Sequence, residues 1–324
     1  MNRHAVVGAL LVSVGLLGLR RAPAPVRDIV YTSSSEGQVE QIWRMAPDGS
    51  NARPVTPVSP GVIESFAVWA PDGRTIAFMS NRGLPPGRIA IFTMNADGLD
   101  IRAVSSDAAA FQAAPDFSPD GRQIVFSGGA NPLQAALHVM EVDGTGVRRL
   151  TESTEMERCP RWSPDGKRIL FLRGNDQLLV LDLASGEVSS ILPAGMDGYC
   201  GDWSPDGRSV AFSSGADGQL PSWTEMMQLA RSGQGGTVGQ ELHVLTLDGM
   251  TVRHLPQAGP LSLYPRWSRD GTRLVYHAAQ PPGTVLGPQL RDDPRVSELY
   301  TIAADGSDMR RLTNNRVRDV HPNW

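Results

Sequence analysis

Residues 162–171 read WSPDGKRILF, from Trp162 to Phe171, and this stretch decides the fold because it recurs along the chain. Four further copies are WAPDGRTIAF, FSPDGRQIVF, WSPDGRSVAF and WSRDGTRLVY, which begin at Trp69, Phe117, Trp203 and Trp267. A sixth copy is split: Trp324 ends the chain, and the matching apolar run, Ile29-Val30-Tyr31, lies near the other end. The recurrence of one stretch along nearly the whole chain indicates a repeat architecture.

Each unit predicts four strands. Pro-Asp-Gly is a tight-turn sequence, because Asp and Gly tolerate the positive φ that a short hairpin demands. The residues after the turn are β-branched, aliphatic or aromatic and predict a strand, and a second apolar run follows, as in Ile91–Met94. A further Gly-containing turn and a short strand ending near Thr151 or its equivalents complete the unit. Six such units predict an all-β, six-bladed β-propeller of four-stranded antiparallel blades.

The split repeat predicts how the ring closes. Residues 26–66 supply the last three strands of blade 1 but lack an inner strand, and we assign that strand to Val317–Trp324. Pairing of the two chain ends removes the open edges of a linear array of sheets. Residues 26–324 are therefore predicted to form one domain.

Residues 1–25 have a different composition. Arg3 precedes a fifteen-residue apolar stretch, Ala5–Leu19, which predicts an export signal or an N-terminal membrane anchor. The stretch is short for a spanning helix. Arg20 and Arg21, together with prolines after Ala22 and Ala24, are unfavourable for cleavage. We expect an extracytoplasmic protein, periplasmic or secreted, that meets a membrane only through this segment.

Composition and motifs narrow the function classes. The net charge of −4 and pI of about 5.9 argue against a nucleic-acid partner. The sequence has no H-E-x-x-H, no paired CxxC and no G-x-S-x-G motif. We therefore predict no catalytic constellation and no cofactor, and we expect a monomer.

Candidate binding residues come from comparing the repeats at fixed register. Five positions before each Trp or Phe stand Glu64, Gln112, Glu157, Gly198, Ser262 and Asp319, with Asp197 beside Gly198 and His321 close by register. Inner strands surround the central channel, so these positions are predicted to ring its mouth. One interpretation is a site for a cationic group, a peptide amine or Ca²⁺, which prefers clustered oxygen ligands. The alternative is a solvated loop of ordinary polar residues.

Two insertions lie on the same predicted face. They fall near residues 215–239 and 279–295, between the second and third strands of blades 5 and 6. That face also holds the starts of the inner strands, opposite the Pro-Asp-Gly turns. Trp223, Met226 and Met227 cluster in the first insertion, and these residue types are common on adaptable contact surfaces. The alternative is a loop folded onto its own blade.

The two cysteines, Cys159 and Cys200, occupy the same register in consecutive blades. An exported chain with two cysteines favours a disulfide. Equivalent positions on adjacent inner strands, however, should lie roughly 8–10 Å apart, beyond the roughly 7 Å Cα limit of a disulfide. The register therefore favours two buried free thiols.

The repeat W-S-P-D-G-[RK]-x-[IL]-[AV]-F, followed by a D-G turn and a final Leu-Thr, resembles the TolB-type, WD-repeat-like β-propeller family over residues 28–324. It corresponds to that family's C-terminal propeller, without the α/β domain that precedes it. The resemblance implies the fold and an extracytoplasmic setting. The leading functional hypothesis is a non-enzymatic scaffold that binds a protein or peptide of the cell envelope at the insertion-bearing face. The alternatives are a channel-mouth enzyme, such as a metal-dependent lyase or lactonase, and a ligand-sensing module of the envelope.

Overall fold

The computed structural model describes residues 27–35, 39–105, 110–215, 240–256, 258–259, 261–279, 297–315 and 317–324. Within these ranges no helix combines the length and hydropathy needed to cross a membrane. The predicted export segment, residues 1–25, and the binding candidates Trp223, Met226 and Met227 lie outside the described residues.

The described chain is built from strands and one short 3-10 helix, Pro132–Gln134. In chain order the strands are β1 (Ile29–Ser35), β2 (Val39–Met45), β3 (Arg53–Pro54), β4 (Glu64–Trp69), β5 (Thr75–Ser80), β6 (Ala90–Asn95), β7 (Arg102–Ala103), β8 (Phe111–Phe117), β9 (Gln123–Gly129), β10 (Ala136–Glu141), β11 (Arg148–Arg149), β12 (Glu157–Trp162), β13 (Arg168–Arg173), β14 (Gln177–Asp182), β15 (Val188–Ser190), β16 (Tyr199–Trp203), β17 (Ser209–Gly215), β18 (Gln240–Thr246), β19 (Thr251–His254), β20 (Ser262–Trp267), β21 (Arg273–Ala279), β22 (Ser297–Ala303), β23 (Arg310–Arg311) and β24 (Asp319–Asn323). They form six four-stranded antiparallel sheets, so the predicted six-bladed propeller is confirmed.

Ring closure follows the predicted pairing. Blade 1 has the strand order β24-β1-β2-β3, so its inner strand comes from the C-terminus and its other three strands from the N-terminus. Trp324, directly after β24, donates its indole N–H to the Arg266 carbonyl oxygen of blade 6 at 3.1 Å. On the other side, Asn323 Oδ1 accepts the backbone N–H of Trp69 in blade 2 at 3.2 Å. The last six residues thus connect blade 1 to both of its neighbours.

The repeat sequence explains the turn between the inner two strands of a blade. In blade 4, Ser163 Oγ donates to Asp165 Oδ1 at 2.6 Å and accepts the backbone N–H of Arg168 at 2.9 Å, which closes the turn. Gly166 has φ of 71°, a conformation that glycine adopts without a steric penalty. A Cβ on Gly166 would lie 3.8 Å from Pro119 of the preceding blade, so the Gly of one turn packs against the Pro of the previous one.

The hydrophobic core is divided among the interfaces between blades. One cluster joins Val30 and Ile42 of blade 1 to Ile76 and Phe78 of blade 2, and similar clusters lie at the other five interfaces. The blade 6–blade 1 cluster contains Val275, Leu299, Ile29, Tyr31 and Trp324. Every blade therefore depends on its two neighbours for burial of its apolar faces.

A β-bulge interrupts the inner strands three positions before the Trp of the repeat. The pairing register shifts there in each blade, as between Arg158 and Arg161. In five of the six blades the residue at this position has a positive φ of 51–56°, namely Phe66, Ala114, Cys159, Tyr264 and His321. Such a conformation is costly for residues other than glycine and bends the strand out of the regular ladder.

The bulge overturns the prediction of two free thiols. Cys159 and Cys200 form a disulfide, with their Cα atoms 5.6 Å apart. The prediction was wrong because it used the distance between regular inner strands. Cys159 lies at the bulge, with φ of 55°, and the register also shifts between Tyr199 and Asp202, so neither cysteine belongs to a regular ladder.

Deletion of residues 317–324 is expected to cause aggregation or a large loss of stability. The deletion leaves β1 without its inner partner, β24, and exposes the apolar faces of blades 1 and 6. Size-exclusion chromatography and a thermal melt check this expectation. A truncated chain that stays monomeric with an unchanged Tm would contradict the closure.

Replacing both cysteines by serine is expected to lower the free energy of unfolding by about 3–4 kcal/mol, because the disulfide joins residues 41 positions apart. Urea unfolding of the wild type and the double variant measures the change. Denatured, non-reduced wild-type protein should show no reaction with a thiol reagent; two reactive thiols per chain would disprove the disulfide.

Candidate functional site

The candidate site is the face onto which both insertions open. The insertions connect β17 to β18 and β21 to β22, the second and third strands of blades 5 and 6. In an up-and-down blade these connections lie on the same side as the starts of the inner strands, which here include Glu64, Glu157 and Asp319. The Pro-Asp-Gly turns lie on the opposite side.

The glutamates at the starts of the inner strands are buried and paired. Glu64 is 1% exposed, and its Oε1 accepts two hydrogen bonds from Arg82, at 2.7 and 2.9 Å. Glu157 is 0% exposed, and its Oε1 accepts two from Arg173, at 2.8 and 3.0 Å. These carboxylates do not form the accessible ring that the register comparison predicted, because each points into its blade and is neutralised by an arginine.

A hydroxyl links each of two such positions to the preceding blade. Thr151 Oγ1 accepts the backbone N–H of Leu137 at 3.0 Å and donates to Glu157 Oε2. Ser105 plays the same part for Gln112: its hydroxyl accepts the Ile91 N–H at 2.9 Å and donates to the Gln112 side chain. The final Leu-Thr of the repeat thus connects the outer end of one blade to the inner strand of the next.

Asp319 and Asp197 lie in different environments. Asp319 is buried, and its Oδ2 accepts the side-chain N–H of Asn315 at 2.7 Å. Asp197 lies in the connection between blades 4 and 5, where its carbonyl oxygen accepts the Ser214 hydroxyl at 2.8 Å. Burial, followed by the charges of Asp197 and Glu155, raises the pKa of Asp176 above its usual value. The partly exposed acidic surface at this face is therefore near blade 4.

Aromatic rings fill the channel at the level of the bulges. Phe66 stacks on His321 with ring centroids 3.8 Å apart, and Tyr264 lies edge-on to both rings at 4.7–5.8 Å. Tyr199 and His277 contact Tyr264 at 5.7 and 5.4 Å. We call these five side chains the aromatic plug. Rings from blades 1, 2, 5 and 6 meet here, and Tyr199 and Tyr264 pack against the disulfide of blades 4 and 5.

The histidines of the plug are structural in this arrangement. His321 Nδ1 hydrogen-bonds to Ser65 Oγ at 2.9 Å, and the Ser65 hydroxyl in turn contacts Thr32 Oγ1 at 3.0 Å. Burial lowers the pKa of His277 to about 3 and holds that of His321 well below its usual value. Both rings are therefore neutral at physiological pH, and His321 lies inside the plug.

Arg158 lies where the plug meets the insertion-bearing face. Its guanidinium stacks over the Tyr199 ring at 5.3 Å, and Nη2 donates to the Gly174 carbonyl and Asn175 Oδ1 at 3.3 and 3.2 Å. The Tyr199 and Tyr264 hydroxyls are 3.3 Å apart below it. This mouth combines a cation and two phenols with the acidic surface of Glu155, Asp176 and Asp197.

At the opposite end of the channel, acidic and basic side chains alternate over four of the six blades, blades 3 to 6, and we call these four residues the charged ring. Asp116 and Asp202 accept the backbone N–H groups of Trp162 and Trp267 at 2.8 and 2.9 Å, as Asn323 does for Trp69. Arg161, 2% exposed, lies between the two aspartates, and Arg266 approaches Asp202 at 3.5 Å. Burial raises the pKa of Asp116 to about 6 and that of Asp202 to about 7, although Arg161 opposes the rise in both.

The register comparison missed the plug and this charged ring. It examined the position five before each Trp, whereas Phe66, Tyr264 and His321 stand three before it and Asp116, Arg161, Asp202 and Arg266 one before it. The signal was present, since three of six repeats carry an aromatic ring or histidine at the bulge position. In the described ranges no group of three or more His, Cys, Asp or Glu side chains has an arrangement that could hold a metal.

Arg82→Met is expected to lower the free energy of unfolding by about 3–5 kcal/mol, because it leaves the buried Glu64 carboxylate without its cation. Arg88→Met, an exposed position in the same loop, is the matched control and should change it by less than about 0.5 kcal/mol. Urea unfolding of both variants gives the comparison. Equal, small effects would show that Glu64 does not depend on Arg82.

Comparison with known proteins finds a family model that matches part of the repeat-containing chain. A family model described as TolB beta propeller domain matches residues 99–238. No curated protein matches the chain.

Solved structures share the fold at low identity. TolB from Acinetobacter baumannii superposes with a TM-score of 0.70 and 20% identity, over 92% of this chain and 66% of that chain. A putative TolB from Agrobacterium tumefaciens gives a TM-score of 0.62 and 18% identity, over 91% of each chain. A propeller in a nidogen/laminin complex gives 0.62 and 8%, over 91% of this chain and 97% of that chain. Residues 99–238 thus match the model of the TolB beta propeller domain, and the chain has the fold of the solved TolB propellers.

Proposed function

We propose that the protein is an extracytoplasmic scaffold that binds a protein or peptide of the cell envelope at its insertion-bearing face. The observation that carries the proposal is the shape of the channel at that face. The aromatic plug and the disulfide fill the channel, so a partner meets a shallow mouth with Arg158, the two tyrosine hydroxyls and the nearby acidic surface. Shallow surfaces of mixed polar and aromatic character suit a protein partner.

Exposed apolar side chains on the same face support the proposal. Val58 is 64% exposed, Ile63 40% and Leu133 73%. Arg82 stabilises the loop that carries the first two, since it donates to Ser59 Oγ at 3.1 Å and to the Pro57 carbonyl at 3.4 Å. A preorganised apolar surface binds with less loss of conformational entropy. Blades 1 to 3 thus offer apolar contacts, whereas the two long insertions belong to blades 5 and 6.

The setting rests on two features. The disulfide between Cys159 and Cys200 is a bond that persists in oxidising compartments, and residues 1–25 resemble an export signal or anchor. The nidogen/laminin complex is a case of this fold in a protein–protein complex.

Binding kinetics with a partner isolated from the cell envelope by cross-linking to the full-length protein test the proposal. Trp223→Ala and Val58→Asp are expected to speed dissociation, because loss of an apolar anchor typically costs about 2 kcal/mol or more. Asp197→Lys should instead alter the association rate and its salt dependence. Substitution of Glu157 is unsuitable for this purpose, since that side chain is buried.

Arg122→Glu, on the Pro-Asp-Gly face, is the control and should bind as wild type. If this control weakens binding while the three variants of the insertion-bearing face behave as wild type, the partner binds the other side of the propeller. Equal Tm values for all four variants are required for the comparison.

A further inference from the structure

Two fully buried carboxylates lie where blade 6 meets blade 1. Glu298 is the second residue of β22, and Asp319 is the first residue of β24. Glu298 Oε1 accepts hydrogen bonds from Arg311 Nη2 and from the backbone N–H of Asn315, both at 2.9 Å. Asn315 Nδ2 also donates to Asp319 Oδ2 at 2.7 Å. Because one residue contacts both carboxylates, the two acids occupy the same small region of the interface.

The second oxygen of each carboxylate has no partner. Glu298 Oε2 and Asp319 Oδ1 are buried and accept no hydrogen bond from any group in the described part of the chain. Both side chains are 0% exposed. Buried carboxylate oxygens without a donor or a cation are strongly unfavourable, so these two atoms require a further group.

The equivalent interface between blades 3 and 4 is satisfied. There Glu157 stands in place of Asp319, with Arg173 on one carboxylate oxygen and Thr151 on the other. Ala136 of blade 3 occupies the position that Glu298 occupies in blade 6, directly before Leu137 and Leu299 respectively. The interface between blades 3 and 4 therefore holds one acid and one arginine. The blade 6–blade 1 interface has instead a shorter acid, a second acid and one arginine.

The net charge of the region indicates which kind of group the two carboxylate oxygens require. Two carboxylates against Arg311 leave one negative charge in a buried region. Burial raises the pKa of Asp319 to about 6, and the charge of Glu298 adds to the rise, while the neighbouring polar side chains of Ser33, Asn315 and Thr313 oppose it. At pH 7.5, above that value, the Asp319 carboxyl is ionised. Water could donate to the two oxygens but would leave the charge uncompensated.

We propose that this interface binds one monovalent cation, of which Na⁺ is the abundant example, between Glu298 Oε2 and Asp319 Oδ1. Oxygen ligands without nitrogen or sulfur suit a hard cation, and the hydroxyls of Ser33 and Thr313 lie beside Asp319 to complete the set. A single positive charge balances the single excess negative charge. The ion joins the C-terminal strand to the third strand of blade 6, and the site is independent of partner binding.

The test compares the Tm of the full-length protein in NaCl and in choline chloride, at equal ionic strength and pH 7.5. Wild-type protein should melt about 2–4 °C higher in NaCl, since a cation that binds only the folded state stabilises it. Glu298→Gln should abolish that difference, because it removes the excess charge. The fold accepts glutamine at this position, as Gln41 occupies it in blade 1, where its Nε2 donates to the Thr56 carbonyl at 2.9 Å.

Glu157→Gln is the matched control: it alters an equally buried acid and should lower the Tm in both salts while keeping the Na⁺ increment. Equal Tm values for the wild type in the two salts would overturn the proposal, as would a Na⁺ increment that persists in Glu298→Gln. A wild-type Tm that ignores Na⁺ but falls as the pH rises through about 6 would show that a proton on Asp319 supplies the charge, and the cation site would be rejected.

Discussion

The pairing of β24 with β1 is the constraint on which the rest of the structure depends. Each blade buries its apolar faces only against its two neighbours, so an open ring would expose blade 1 and blade 6 together. Closure also brings the last residues of the chain beside the first strands, and the contacts of Trp324 with blade 6 and Asn323 with blade 2 follow from it. A contact between the chain ends has high sequence separation, so it is entropically expensive to form and must be stabilised by many local interactions. The repeat supplies them, and at four of the six interfaces the Gly of one turn packs against the Pro of the preceding turn.

Buried charged pairs recur at equivalent positions of the blades, but the pairs at the two ends of the channel are of different kinds. At the insertion-bearing end, buried glutamates are paired with arginines of their own blade, as in Glu64 with Arg82. At the other end, aspartates of alternate blades accept a backbone N–H of the next blade, and the intervening arginines balance their charge. The first arrangement anchors an inner strand to its own blade, and the second connects neighbouring blades. The interface that contains Glu298 and Asp319 departs from the first arrangement, because it has two buried acids for one arginine. It lies where blade 6 meets blade 1, at the closure of the ring.

Local chemistry explains which features could be predicted from the sequence. The turns and strands follow from residues a few positions apart, because Ser163, Asp165 and Gly166 determine their turn without help from distant parts of the chain. The six blades and the split blade follow from counting the repeat, whose incomplete copies stand at the two ends of the chain. The disulfide and the burial of Glu157 could not be predicted in this way. The first depends on a bulge at Cys159 that removes the strand from regular spacing. The second depends on Arg173, 16 residues further along, which can reach the carboxylate only once both strands are paired. The roles assigned to Trp223, Met226 and Met227 stay predictions.

The plug limits what the channel can do. Five aromatic and histidine side chains from four blades meet in the channel, and the disulfide of blades 4 and 5 packs against two of them, Tyr199 and Tyr264. Buried neutral histidines and a hydrogen-bond chain through Ser65 and Thr32 make this centre a packed core, whose opening would cost the stacking of Phe66 on His321. The two faces that flank this filled channel differ in construction. The Pro-Asp-Gly face is built from short turns whose aspartates are already hydrogen-bonded within them. The insertion-bearing face combines the exposed Val58 and Ile63, the cation of Arg158 and the two longest connections between strands, so the departures from the minimal repeat are concentrated on one side of the ring.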